Sequence, residues 1–81
     1  MIRQVSADEI EIDTGTLRVR AQSECPHRKG RLRFGFVNPR RMTITCPLHH
    51  STFDLYTGER LTGPACDGLR LSVLEAEHAR Q

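Results

Sequence analysis

The middle of the chain contains two short loops, Cys25-Pro26-His27-Arg28 and Cys46-Pro47-Leu48-His49-His50-Ser51-Thr52-Phe53. Each loop offers one thiol and one imidazole at close spacing, as Cys-x-His in the first and Cys-x-x-His in the second. Eighteen residues, 28 to 45, separate the two groups. Thiolate and neutral imidazole are the side chains that bind zinc and iron–sulfur metals. The sequence therefore predicts a metal site built from both loops.

Two cysteines and two histidines fit two kinds of metal site. They can surround one zinc ion in a tetrahedron, or hold a [2Fe–2S] cluster with both thiolates on one iron and both imidazoles on the other. Zinc sites commonly group like ligands, as Cys-x-x-Cys and His-x-x-x-His, whereas each loop here mixes one Cys with one His. Mixed loops favour the two-iron site, because each loop then reaches both irons. The residues alone leave both sites open.

The length of 81 residues predicts one domain, residues 1–81, with a core small enough to benefit from a metal. Three cysteines cannot form a closed set of disulfides. A leftover thiol fits a reducing compartment, so we expect a cytoplasmic protein. Met1 to Gln4 leads into polar sequence, which predicts neither a signal peptide nor a membrane span.

Basic side chains concentrate around the two loops. Residues 25–53 carry six basic residues and no acidic one, whereas residues 1–24 and 54–81 each carry three basic and five acidic residues. This placement predicts an anionic partner surface near the metal, with an ordinary solvated loop face as the alternative. Nucleic acid is not expected as the partner, because no aromatic-rich stripe beside the basic residues would stack on bases.

Alternating apolar and polar residues predict an all-β chain of mostly antiparallel strands. A hairpin is expected from Glu9–Asp13 and Leu17–Ala21. Further strands or extended segments are predicted at 32–36, 42–45, 53–55, 60–61 and 69–74. The aromatic residues Phe34, Phe36, Phe53 and Tyr56 are expected to serve core and loop packing rather than docking.

The loops, together with Phe53-Asp54-Leu55-Tyr56-Thr57-Gly58-Glu59 and Gly63-Pro64-Ala65, resemble the Rieske [2Fe–2S] family over roughly residues 17–74. The closest likeness is to soluble Rieske-type ferredoxins that serve oxygenases and to small subunits of nitrite reductases. The resemblance implies a Rieske fold of small antiparallel sheets with two loops at one end. The cluster-binding part would span about residues 25–66, and the base sheet would come from residues 9–22 and 68–75.

The resemblance also implies the ligands of one [2Fe–2S] cluster. Cys25 and Cys46 would hold the buried iron, and His27 and His49 would hold the outer iron at the tip of the domain. Histidine ligation makes the cluster less negative than four thiolates would, which raises its reduction potential.

Two further residues would tune the cluster in such a protein. Ser51 stands where high-potential members place a hydroxyl against a bridging sulfide, and Pro64 lies in the loop that would cover the cluster. Phe53 replaces the tyrosine that supplies a second hydrogen bond, so we expect an intermediate-to-low potential.

Departures from the family pattern refine this expectation. Leu48 stands where membrane-complex Rieske proteins carry an additional cysteine, which places the chain with the reducing-compartment ferredoxins. Lys29 and His50 stand where glycine is common. The segment before Cys25 is short, so we expect a missing base-sheet strand and a partner or self-association at the exposed sheet edge.

The functional hypothesis is a single-electron carrier that passes electrons from a reductase to an oxygenase or similar terminal oxidoreductase. It is not expected to be an enzyme, because no Ser-His-Asp or paired-carboxylate arrangement and no Gly-rich phosphate loop is visible. The alternative is a small accessory subunit of an oxidoreductase complex, as in nitrite reductases. A zinc-stabilised binding module ranks below both.

Overall fold

A computed structural model of the chain describes residues 1–26, 30–48, 50–63 and 67–76. These ranges form strands and one short 3-10 helix, which confirms the all-β prediction. The elements are β1 (Ile2–Gln4), β2 (Glu9–Asp13), β3 (Leu17–Gln22), the 3-10 helix (Leu32–Phe34), β4 (Phe36–Asn38), β5 (Thr43–Thr45), β6 (Thr52–Asp54), β7 (Arg60–Thr62) and β8 (Leu71–Ala76). None of the helical segments in these ranges has the length and apolar character to span a bilayer.

The strands form two antiparallel sheets of four strands each, a pattern consistent with the Rieske fold. The base sheet has the order β1-β2-β3-β8, and the loop sheet has the order β4-β5-β6-β7. The predicted hairpin is β2–β3, in which Ile10 pairs with Ala21 and Ile12 pairs with Val19. The extended segment predicted at 60–61 lies in β7, which pairs with β6.

Both sheets contribute to one hydrophobic core. Ile10, Ile12 and Val19 alternate with polar residues along β2 and β3, so their side chains share one face of the base sheet and are fully buried. Ile44 and Phe53, which face each other across β5 and β6, are fully buried as well. Each such side chain contributes roughly 1.5–3 kcal/mol by leaving water. The loop sheet is thereby held against the base.

Two strand predictions were wrong in detail, and one strand was missed. Leu32–Phe34 is a 3-10 helix, in which Gly35 donates its N–H to the Leu32 carbonyl, and the strand begins only at Phe36. β1 was not predicted, because three residues are too few to show a period. The last strand begins at Leu71 rather than Leu69, whose side chain is buried outside any strand.

The base sheet does have an exposed edge. β8 pairs with β3 on one side, and within the described ranges no strand pairs with its other side. Its register shifts between Arg18 and Val19, which leaves Leu74 without a partner in the ladder. Val73 and Leu74 are each 43% exposed. A bulge on an edge strand opposes further strand pairing, and a partner at this edge stays a prediction.

A charged cluster covers the outer face of the base sheet. The Glu11 carboxylate lies 3.2 Å from Arg3, 3.4 Å from Arg18 and 3.5 Å from Arg20, and its side chain is only 9% exposed. Burial raises the pKa of Glu11, but the charge of Arg3 and the charge and hydrogen bond of Arg18 outweigh burial. The pKa of Glu11 is therefore lowered from its ordinary value.

Candidate metal centre

An equivalent backbone hydrogen bond closes each of the two cysteine loops. The N–H of Cys25 donates to the carbonyl of Gly30 at 2.7 Å, and the N–H of Cys46 donates to the carbonyl of Ser51 at 2.8 Å. In both cases the acceptor lies five residues beyond the cysteine. Each loop is thus a short closed unit with a thiol at its first residue.

Paired residues flank both loops at equivalent positions. Glu24 and Arg31 form an isolated antiparallel bridge around the first loop. Thr45 and Thr52 pair across β5 and β6 around the second, and their hydroxyl oxygens lie 3.0 Å apart. Because antiparallel pairs fix both ends of the loop they enclose, the two cysteines begin their loops in the same geometry.

The two thiols are buried where the loops meet. Cys25 is 2% exposed and Cys46 is fully buried. A Cβ atom at Gly30 would lie 2.7 Å from the Cys46 Sγ and 3.3 Å from the Leu48 side chain. The end of the first loop therefore rests directly on the thiol of the second. Only a residue without a side chain permits this approach.

The other predicted ligands cannot be placed against these thiols. His27 and His49 lie outside the described residues, as does Pro64. Within the described ranges, no three His, Cys, Asp or Glu side chains are gathered closely enough to hold a metal ion. The four-residue ligand set and the role of Pro64 stay predictions.

Ser51 presents an unsatisfied hydroxyl beside the second loop. Its side chain is fully buried, and its Oγ has no hydrogen-bond partner among the described residues. Gly63, at φ +99°, approaches so closely that a Cβ there would lie 3.0 Å from this Oγ. A buried hydroxyl without a partner costs about 1–3 kcal/mol. The hydroxyl is therefore suited to an acceptor on a group held at this site.

His50 adopts a backbone conformation that favours glycine. Its φ is +58°, and its N–H donates to the Cys46 carbonyl at 3.1 Å. The side chain is exposed, as expected for a loop residue that faces solvent. This left-handed conformation explains why glycine is common at this position in the family that the sequence resembles.

Two aromatic residues were misjudged from the sequence. Phe34 is 65% exposed and Phe36 is 67% exposed, so neither packs in the core. Phe53, by contrast, is fully buried as expected. Gly30 was also missed, although its spacing from Cys25 equals that of Ser51 from Cys46. That repeated spacing is the signal that would have found it.

Comparison with known proteins identifies the fold family. The model of the Rieske [2Fe-2S] domain family matches residues 5–73. The chain belongs to this family. Two curated relatives are the ferredoxin components of the naphthalene 1,2-dioxygenase systems of Pseudomonas putida and Pseudomonas sp. (strain C18). Each is 32% identical over 56 residues, which cover 69% of this chain and 52% of the relative.

The Rieske chain thus spans about half the length of these relatives. No solved structure matches it significantly. One [2Fe–2S] cluster is the cofactor of a Rieske domain, and when bound it supplies a centre that accepts and releases one electron. Two buried thiols on adjoining loops and a buried hydroxyl that has no partner within the described ranges fit this group.

Proposed function

We propose that this Rieske chain is a single-electron carrier for an oxygenase or a similar terminal oxidoreductase. The observation that carries the proposal is the pair of equivalent closed loops, each with a buried thiol at its first residue. The two relatives are ferredoxin components of a dioxygenase system. In this role the chain carries the electron, and a separate enzyme performs the catalysis.

We propose Cys25, His27, Cys46 and His49 as the cluster ligands. Burial of both thiols supports a thiolate-bound iron on the inner side of the site. His49 is flanked in the chain by the exposed residues Leu48 and His50, which supports an imidazole-bound iron near the surface. A cluster near the surface is what transfer to another protein requires.

Its partners would be a reductase and a terminal oxygenase or reductase, which would dock at the basic cluster end. Exposed arginines in the cluster-binding part support this docking, and neither a membrane nor a nucleic acid is expected as a partner. The cysteine count supports a cytoplasmic location.

Residues 1–81 would form one domain, with its cluster-binding part at about 25–66 and its base sheet from 9–22 and 68–75. Neither a zinc-stabilised module nor an accessory subunit is favoured by the family or by the ferredoxin relatives.

Spectroscopy on the purified protein tests the carrier and its ligands together. Two irons and two sulfides per chain are expected, with nitrogen hyperfine couplings from two imidazoles in the reduced state. Replacing either His27 or His49 by Ser should remove one set of couplings, whereas His50→Ser should retain both. Colourless protein with one zinc per chain, or couplings lost only with His50, would contradict the proposal.

A further inference from the structure

Two exposed phenylalanines lie beside the metal centre. Phe34 and Phe36 are the most exposed large hydrophobic residues in the described part of the chain. The guanidinium of Arg33 lies 5.1 Å from the centre of the Phe34 ring, a cation–π contact that orients both groups. Aromatic residues and arginine are the types that supply most binding energy in protein interfaces. We call Arg33, Phe34 and Phe36 the aromatic patch.

The aromatic patch spans the 3-10 helix and the edge strand β4 of the loop sheet. Phe36 begins β4, which is the outermost strand of that sheet. Val37 points into the core, so Phe36 points to the opposite, outer face. Phe36 pairs with Thr45, the residue immediately before Cys46. A protein that contacts this ring therefore comes within a few residues of a proposed cluster ligand.

The chain segment that carries the aromatic patch is positively charged. Residues 30–48 contain no acidic residue, and their four arginines, Arg31, Arg33, Arg40 and Arg41, are all exposed. Among the described residues, the ion pairs of the chain engage other arginines, which lie on the base sheet. The charges of these four arginines therefore face solvent. An exposed apolar surface framed by cations complements an apolar recess framed by carboxylates.

We propose that the aromatic patch is the docking surface for an acidic face of a redox partner protein, with Phe34 and Phe36 entering an apolar recess of that partner. This inference rests on the proposed electron-carrier function and names the contact chemistry of its partner. A single-stranded nucleic acid is the other polyanion that aromatic and basic residues bind. The protein is favoured because the two rings lie two residues apart, with Phe36 on an edge strand beside a proposed ligand, whereas nucleic-acid binding needs a groove that tracks a strand.

A defined electrode surface tests the docking chemistry without an identified partner. The probe is a gold electrode that carries a mixed monolayer of carboxylate-terminated and methyl-terminated thiols, which imitates an acidic face with apolar recesses. The cluster-loaded protein is compared with Phe34→Ser/Phe36→Thr and with Arg33→Gln. Tyr56→Ser is the matched aromatic control, since Tyr56 is 51% exposed in a turn outside the patch. Arg70→Gln is the matched charge control.

The double Phe variant should exchange electrons with this electrode about tenfold more slowly, equivalent to ~1.4 kcal/mol of docking free energy. Arg33→Gln should slow exchange severalfold at low salt and weaken its salt dependence. Both controls should match the parent protein, and all variants should reduce equally fast with a dissolved small-molecule reductant. Exchange rates unchanged by the Phe replacements would overturn the docking proposal and leave the carrier function standing.

Two other outcomes would also be decisive. If the parent protein shows no redox-active cluster by absorbance or by reaction with the dissolved reductant, the proposed function itself fails. If a short single-stranded DNA binds the parent protein, loses binding in the double Phe variant, and the electrode rates do not change, the patch is a nucleic-acid surface and the docking proposal is wrong.

Discussion

Gly30 stands against Cys46 so closely that a methyl group at residue 30 would lie 2.7 Å from the Cys46 Sγ. Cys46 is fully buried and its N–H is fixed by the Ser51 carbonyl, so the thiol cannot retreat without moving its loop. Gly30→Ala should push the loops apart at a cost of about 1–3 kcal/mol. The expected result is a clear fall in iron bound per chain, measured by metal analysis and visible absorbance.

Gly15→Ala is the control for Gly30→Ala. Gly15 has φ +99° in the β2–β3 turn and open space around its Cβ position. Alanine there should destabilise the turn by about 1–2 kcal/mol while leaving the iron content intact. Equal loss of iron in both variants would show that general destabilisation, rather than the contact with Cys46, empties the site.

Ser51→Ala tests the use of the buried hydroxyl. Because the Ser51 Oγ has no partner among the described residues, we expect it to donate to the cluster and favour the reduced, more negative state. A hydrogen bond to a charged group is worth about 1.5–3 kcal/mol. Only the part that differs between the two redox states shifts the potential, so loss of the bond should lower the one-electron potential by at most about 65–130 mV. Protein-film voltammetry measures this shift.

Thr52→Val is the matched comparison for Ser51. The Thr52 hydroxyl already lies 3.0 Å from the Thr45 hydroxyl, so its loss should change stability and leave the potential nearly unaltered. An unchanged potential in Ser51→Ala, or an equal shift in both variants, would show that the Ser51 hydroxyl does not act on the cluster.

His50→Gly should stabilise the protein, because a left-handed φ of +58° costs a non-glycine residue about 1 kcal/mol or more. The greater flexibility of unfolded glycine offsets part of this gain. We expect the Tm of the cluster-loaded protein, measured by circular dichroism, to rise by a few degrees. His50→Ala removes the imidazole and keeps the strain, so a similar rise in that variant would contradict the backbone explanation.

The sequence predicted the parts of the fold that depend on period and spacing. The alternation of Ile10 and Ile12 with acidic residues placed β2 correctly, and paired Cys and His residues indicated the metal chemistry. The same reliance on alternation gave a wrong prediction for Phe34 and Phe36. Their alternation with Gly35 imitates a strand, and a period of two does not show which face meets solvent. Phe34 ends the 3-10 helix, and Phe36 begins β4 on the face opposite the buried Val37, so both rings are exposed.

Contacts between the loops were not predictable, because they depend on how two distant segments meet. The residues next to Gly30 in the sequence do not indicate its contact with the Cys46 thiol. The residues next to Gly63 likewise do not indicate its contact with Ser51. The cluster around Glu11 has the same origin. Arg3 comes from β1, and Arg18 and Arg20 come from β3, so only the register of these strands with β2 brings the three arginines to one carboxylate.

Glu11→Gln tests this cluster through the pH dependence of stability. The pKa of Glu11 in the folded state lies below its ordinary value of 4.5, chiefly because the attraction of Arg3 and Arg18 outweighs the effect of burial. A lowered folded-state pKa contributes stability that is present above the unfolded-state pKa and is lost as the pH falls through the folded-state pKa. Wild type should therefore exceed Glu11→Gln in Tm at pH 7, and the difference should shrink as the pH falls below the ordinary value of 4.5. Differential scanning calorimetry at each pH measures this difference, in which acid effects common to both proteins cancel.

Glu9→Gln, on the same strand but outside these ion pairs, should differ little from wild type throughout. A Glu11→Gln difference that stays constant with pH would show that the carboxylate's charge does not provide the stabilisation.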